Sequence, residues 1–144
     1  MPYIKIWIHS VWATKNRSAL MDKSIRPQIF DHIRQNAKQK GIFIDHINGV
    51  ENHIHCLISM TAVQNIAKLI NLIKGESSYW INQNKITKHR FEWQDEYFAV
   101  SISESHVDIV RAYIRNQEEH HKNVTWEQEV EEFMTKFGFE IIKG

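Results

Sequence analysis

The order in which two-residue and helical periodicities alternate constrains this chain most. Residues 3–13 read as a strand rich in β-branched and aromatic side chains. Ile4, Ile6 and Ile8 take one face, and Tyr3, Lys5, Trp7 and His9 the other. A polar loop through Lys15, Asn16 and Arg17 follows. Ser24 is placed to cap a helix with Pro27 in its first turn, where a missing N–H costs nothing. That helix runs to about Lys40 and stops at Gly41. Two short strands follow at 42–50 and 53–60, separated by Asn48-Gly49 and the polar Glu51-Asn52. The stripe Ile66, Leu69, Ile70, Ile73 and Trp80 predicts a helix from about Val63 to Asn82. Tyr97 to Ser103 form another strand. Ser105 as cap, with Asp108 near the N-terminal dipole, predicts a helix reaching about Lys122. Thr125 and Gln128 have capping-box spacing for a final helix ending near Gly138. The order β-α-β-β-α-β-α-α predicts an α+β, ferredoxin-like (split βαβ) antiparallel sheet of about four strands, with helices on one face plus C-terminal helices. One domain is expected over residues 1–144, with no internal repeat or low-complexity tract.

Composition sets outer bounds. With 42% hydrophobic and 24% charged residues, the chain has the balance of an ordinary soluble domain. No apolar run approaches a membrane span, so no membrane partner is expected. The N-terminal alternation is unlike a signal peptide, and a single cysteine, Cys56, excludes an internal disulfide framework. A cytoplasmic location is therefore expected. Net charge is only +1, less basic than a dedicated duplex-coating protein. The charge is unevenly spread: Glu118, Glu119, Glu127, Glu129, Glu131 and Glu132 crowd the C-terminal third, leaving the first 90 residues net basic. Lys15, Arg17, Lys68, Lys74, Lys85, Lys88 and Arg90 are candidates to meet phosphates, and Trp12, Tyr79 or Trp93 to stack unpaired bases. Solvated charges and buried aromatics account for the same residues equally well.

His53 and His55 lie two apart on a strand, so both imidazoles project from one face while Ile54 and Cys56 point into the core. Two such imidazoles are a start for a divalent-metal site. Taken alone, the spacing favours surface or structural histidines. Tyr113 and Gln117, four apart, share one helical face, with Asn116 and His120 close to it and Val107, Val110 and Ile114 on the core side. A Tyr and a Gln on an amphipathic helix are usually boundary residues. The functional reading depends on both halves occurring in the right order.

Several ordered stretches carry a resemblance: Val11-Trp12-Ala13-Thr14-Lys15-Asn16-Arg17, Gly49-Val50-Glu51-Asn52-His53-Ile54-His55-Cys56-Leu57-Ile58, Lys74-Gly75-Glu76-Ser77-Ser78-Tyr79-Trp80-Ile81-Asn82, Phe91-Glu92-Trp93-Gln94-Asp95-Glu96-Tyr97 and Tyr113-Ile114-Arg115-Asn116-Gln117-Glu118-Glu119-His120-His121. Together they resemble the HUH-type single-tyrosine transposases of bacterial insertion sequences, the IS200-like family that includes the REP-associated tyrosine transposases. Glu96 departs from the pattern, standing where many members have glycine.

The resemblance implies that His53 and His55 bind a divalent metal, Mg²⁺ or Mn²⁺, with Gln117 adding a third ligand through its amide oxygen. It implies that Tyr113 is the nucleophile, attacking single-stranded DNA to leave a 5′-phosphotyrosine and a free 3′-hydroxyl. It also implies a DNA hairpin as recognition element, and a homodimer in which the tyrosine helix of one chain completes the histidine site of the other. The chemistry is coherent: a phenol with a pKa near ~10 needs help to attack at neutral pH. A phosphotyrosine also keeps the bond energy needed for rejoining. His120 and His121 are more simply read as non-ligands, because three ligands are already supplied. Two rivals are a noncatalytic ferredoxin-like nucleic-acid-binding module and a metal phosphohydrolase that uses water.

Overall fold

In a computed structural model describing residues 2–137, β1 (Ile6–Ala13) is the hub of a four-stranded antiparallel sheet. It pairs with β3 (His53–Met60) on one side and β4 (Phe98–Ile102) on the other. β2 (Phe43–Gly49) completes the order β2-β3-β1-β4. The α+β sheet with split βαβ order agrees with the sequence reading.

The two faces of the sheet are covered by different parts of the chain. α1 (Arg26–Gln39) and α2 (Ile66–Gln83) bury Ile29, Ile33, Leu69, Ile70 and Ile73 against Ile8, Trp12, Ile44, Ile54, Cys56 and Ile58. α3 (Val107–Arg115), α4 (Gln117–His120) and α5 (Trp126–Phe137) lie over the other face. There Val107 and Ile114 meet Trp7 and Leu57, while Trp126 and Phe133 meet Val11 and Ala13. With both faces covered, the two central strands are buried almost throughout instead of alternating. Cys56 lies in the α1/α2 core as the alternation requires, and burial pushes its thiol well above the usual range.

Several expected boundaries move. β1 begins at Ile6, because pairing starts there; Tyr3 is 97% exposed and Ile4 stands outside the strand. Ser24 does not cap α1; the helix is entered through a turn in which Arg26 N–H donates to the Asp22 carbonyl. α2 starts at Ile66, where the Asn65 side chain accepts from Lys68 N–H at 3.1 Å, so Val63 belongs to the preceding turn. Ser105 does not cap α3 either, and instead contacts His106 Nδ1. The helix expected to continue to Lys122 is interrupted at Asn116, giving α3 and α4. The capping box of α5 forms in both directions: Gln128 N–H donates to Thr125 Oγ1 (3.2 Å) and Thr125 N–H to Gln128 Oε1 (2.8 Å). Its expected end near Gly138 lies outside the described residues.

The segment after α2 is bound back to the sheet. Trp93 bridges to Thr14, its indole N–H donates to Ser77 Oγ at 2.9 Å, and Lys74 Nζ donates to the Gln94 and Asp95 carbonyls at 2.6 and 3.0 Å. Trp12 and Trp93 meet edge to face in the core at 0% and 8% exposure, so neither is available to stack on a base. Glu96 does not have the positive φ that would call for glycine; among the described non-glycine residues only Asn16, Arg17 and Lys85 do.

Candidate metal centre and tyrosine site

β1 and β3 bring His9, His53 and His55 to one face, since His55 is opposite Val11 and His53 opposite Ala13 in the register. The turn into β3 is tight. A Cβ at Gly49 would overlap the His53 carbonyl oxygen and come within 2.9 Å of Ile54 Cα. Both ligand candidates are fully buried beneath the C-terminal helices. His53 Nδ1 donates to Asn52 Oδ1 at 2.8 Å, and His55 Nδ1 meets His9 Nε2 at 2.9 Å. With Nδ1–H held by these partners, the Nε2 lone pairs of both rings face the centre.

Two further donors converge there. His121 Nε2 is 3.0 Å from His53 Nε2. Glu129, from α5, places Oε1 2.8 Å from His55 Nε2 and 3.4 Å from His53 Nε2, and Oε2 2.9 Å from His121 Nε2. One donor atom from each of His53, His55, His121 and Glu129 fits within 4.8 Å of the rest. His55 Nε2, Glu129 Oε1 and Gln117 Oε1 are all buried without a hydrogen-bond partner. Buried polar atoms are normally satisfied, and two of these, His55 Nε2 and Glu129 Oε1, belong to the cluster of four donors that could hold a cation.

The electrostatics favour ligation. Burial pushes His9 down to about 3, with His55 acting in the same direction. Burial likewise pushes His53 down to about 4 and lowers His55, against the pull of Glu129. All three imidazoles are therefore neutral at neutral pH, as metal ligands must be. Burial acts to raise the Glu129 carboxyl, but the surrounding imidazoles of His121, His53 and His55 hold it well below the usual carboxylate range. His121 is raised, because the Glu129 carboxylate outweighs burial.

Tyr113 stands at the edge of this cluster. Its hydroxyl donates to Glu129 Oε2 at 2.7 Å, with His120 Nε2 at 3.4 Å, and its ring packs edge-on against His9 and His55. Burial first, then the Glu129 charge, raises the phenol above its ordinary value. Side chains at the α3–α4 break hold it in place. Asn48 Nδ2, from β2, donates to the Ile114 and Arg115 carbonyls at 3.0 and 3.1 Å, and Gln117 Nε2 donates to the Tyr113 carbonyl at 3.2 Å. These are the last carbonyls of α3, which a continuous helix would have satisfied itself. In this single chain the tyrosine helix covers the histidines of its own sheet.

Residues 3–117 match the model of the family described as transposase IS200 like. The chain belongs to this family. A curated relative, the ISDra2 transposase TnpA of Deinococcus radiodurans, is 24% identical over 115 residues, spanning 76% of this chain and 81% of that protein. The crystal structure of a candidate transposase from Deinococcus radiodurans R1 superimposes with a TM-score of 0.64 at 23% identity, covering 81% of this chain and 93% of the other. A REP-associated tyrosine transposase bound to a REP hairpin gives 0.62 at 17% identity, covering 84% and 72%. These two structural likenesses establish the fold.

His53, His55 and Tyr113 lie around one buried cluster and Gln117 bonds the Tyr113 carbonyl, while His9, His121 and Glu129, which the sequence alone does not mark as ligands, stand in the same cluster. Glu129 carries a legible signal. Trp126, Glu129, Val130 and Phe133 share one helical stripe, so a carboxylate sits where an apolar residue belongs. His9 shares a face with the paired histidines once the β1–β3 register is known, and no single-strand pattern supplies that register. Asn116 is the break itself, and His120 flanks Tyr113.

The expected basic residues lie elsewhere. Lys15, Arg17, Lys74, Lys85 and Arg90 line an open groove beside α2, with the exposed Tyr79. Lys15 pairs with Glu92 (3.0 Å) and Arg17 with Glu127 (3.5 Å). The Lys74 ammonium is committed to backbone carbonyls, and Lys68 is not among the groove residues. No helix among the described residues is long and apolar enough to cross a membrane.

Proposed function

We propose that this transposase is a metal-dependent single-stranded DNA endonuclease and strand-transferase acting through Tyr113. The observation carrying the reading is the convergence of the His53 and His55 Nε2 atoms and the Tyr113 hydroxyl on the buried Glu129 carboxylate, with Gln117 bonded to the tyrosine's own carbonyl. His53, His55 and Gln117 would hold a divalent ion, Mg²⁺ or Mn²⁺. Such an ion, when bound, polarises a phosphate oxygen and offsets the charge that develops during displacement.

The protein groups supply the rest. Tyr113 Oη forms a bond to phosphorus as the bond from phosphorus to the 3′ oxygen breaks, leaving a 5′-phosphotyrosine and a 3′-hydroxyl that has taken up a proton. The phenolic proton has to leave, and His120 Nε2, 3.4 Å from the hydroxyl, is within reach. Contact with the Glu129 carboxylate keeps that proton on the phenol, so the nucleophile is held back until this contact changes. Gln117 and Asn48 position the end of α3 and therefore the phenol. The groove beside α2, with Lys15, Arg17, Arg90 and Tyr79, suits a DNA hairpin stem with adjoining unpaired bases. The REP hairpin bound by the REP-associated relative supports a hairpin as the recognition element. We assign the working form as a homodimer, consistent with the family resemblance.

The decisive experiment incubates the protein with Mn²⁺ and hairpin-bearing single-stranded DNA, then resolves it on a denaturing gel. A covalent protein–DNA band is expected, absent in Tyr113→Phe. Cleavage persisting in Tyr113→Phe without the band would instead support a water-using phosphohydrolase. Hairpin binding with no cleavage would support the noncatalytic module.

A further inference from the structure

Glu129 reaches the histidines from α5, an element beyond the residues that match the family. Its side chain is 1% exposed, and around it stand the imidazoles of His53, His55, His120 and His121 and the phenol of Tyr113. A carboxylate placed on the apolar stripe of a short helix is costly to bury unless something specific holds it. Hydrogen bonding accounts for one oxygen: Oε2 accepts from Tyr113 and meets His121. Oε1 has no hydrogen-bond partner although it is 2.8 Å from the equally unpartnered His55 Nε2. Two such atoms this close, within a cluster of four buried donors, are placed to share one ion as co-ligands.

The spacing agrees. Four ligands at the usual zinc–nitrogen and zinc–oxygen distances form a tetrahedron with edges of about 3.3 Å. The separations here are 3.0 Å for His53–His121 and, to Glu129 Oε1, 3.4 Å from His53 and 2.8 Å from His55; His121 meets the other oxygen, Oε2, at 2.9 Å, and one donor atom from each of the four residues lies within 4.8 Å of the rest.

We propose that Glu129 is a metal ligand delivered by α5, completing with His53, His55 and His121 a closed four-donor centre for an imidazole-preferring transition ion such as Zn²⁺ or Co²⁺. This deepens the proposed function, since it concerns the same histidines. Three imidazoles and one carboxylate suit such ions better than Mg²⁺, which prefers oxygen ligands and retains water. A centre filled by four protein donors has no position left for a phosphate oxygen. While α5 is seated, Glu129 therefore occupies the place of the substrate and holds the Tyr113 hydroxyl as well. Departure of α5 frees both together.

The test titrates tag-free protein with Co²⁺, following visible absorption and calorimetry. The wild type is expected to take one Co²⁺ per chain with the strong visible bands of four-coordinate cobalt. Glu129→Gln keeps the shape and removes the charge; it is expected to weaken binding at least ~10-fold and reduce band intensity. His121→Ala is expected to do the same, and the exposed Glu127→Gln to change neither. Unchanged affinity and spectrum in Glu129→Gln, with binding lost in His53→Ala, overturns the α5 ligand while leaving the histidine centre standing. Undiminished binding in His53→Ala removes the centre itself. X-ray absorption on the Zn²⁺-loaded wild type needs no variant: three imidazoles and one oxygen at four-coordinate distances are expected, and a two-imidazole, water-rich shell overturns the proposal.

Discussion

Gly49 sits where β2 turns into β3, and any side chain there runs into the backbone of His53 and Ile54. Backbone cannot yield as a flexible side chain can, so Gly49→Ala is expected to lower stability by about 2–3 kcal/mol, the upper part of the overpacking range. Urea unfolding checks this, and an unchanged midpoint would mean that the turn relaxes freely. The same turn illustrates which residues a sequence reveals. His53 and His55 were legible because strand periodicity fixes which side chains share a face, whatever packs above them. Gln117 was legible only relative to Tyr113 along one helix. Glu129 stands apart from Glu127, Glu131 and Glu132 only by its place on the apolar stripe of its helix, and its burial depends on that helix folding back over the sheet. His121 looked dispensable because Gln117 already completed a ligand set on paper.

At the scale of elements, the break between α3 and α4 is a tertiary effect. Nothing in Tyr113-Ile114-Arg115-Asn116-Gln117 forbids continuous helix, and local pattern extends it to Lys122. The structure ends α3 early because β2 presents Asn48 to the Ile114 and Arg115 carbonyls. Removing that donor leaves two carbonyls to water, so Asn48→Ala is expected to cost about 1 kcal/mol. The informative readout is kinetic: phosphotyrosine formation is expected to slow while Co²⁺ affinity stays at the wild-type value, because the histidines do not depend on Asn48. Equal losses in both would show that Asn48 serves general folding and not the placement of Tyr113. α2 is legible because its own periodicity matches its burial, whereas β3 keeps its expected bounds although both of its faces are buried.

Across the whole molecule, Asp45 on β2 joins the sheet to α3 through Arg111, at 2.6 and 3.2 Å. Burial acts to raise the Asp45 carboxyl, but hydrogen bonds from Arg111 and His46 outweigh it and lower the pKa from 3.8. A group lowered on folding contributes stability above its unfolded pKa and loses that contribution as pH falls through the folded one. Wild type is therefore expected to exceed Asp45→Asn in urea midpoint at pH 6, with the gap closing as pH drops below about 4. A gap constant down to pH 2.5 would exclude the ion pair as its source. Strand order and helix succession were legible because each element declares its own period, whereas the partition of helices between the two faces depends on how the chain crosses the sheet.

That partition leaves the sheet unevenly supported. α1 and α2 share the larger apolar core with one face, whereas the C-terminal helices rest on two small clusters, with polar rings packed between them. Local opening is least costly where the fewest apolar contacts are lost. The C-terminal cover can thus be surrendered at a fraction of the free energy of global unfolding, with the strand carrying the paired histidines still anchored from behind. A reagent too large for the closed centre meets a door hung on a standing wall.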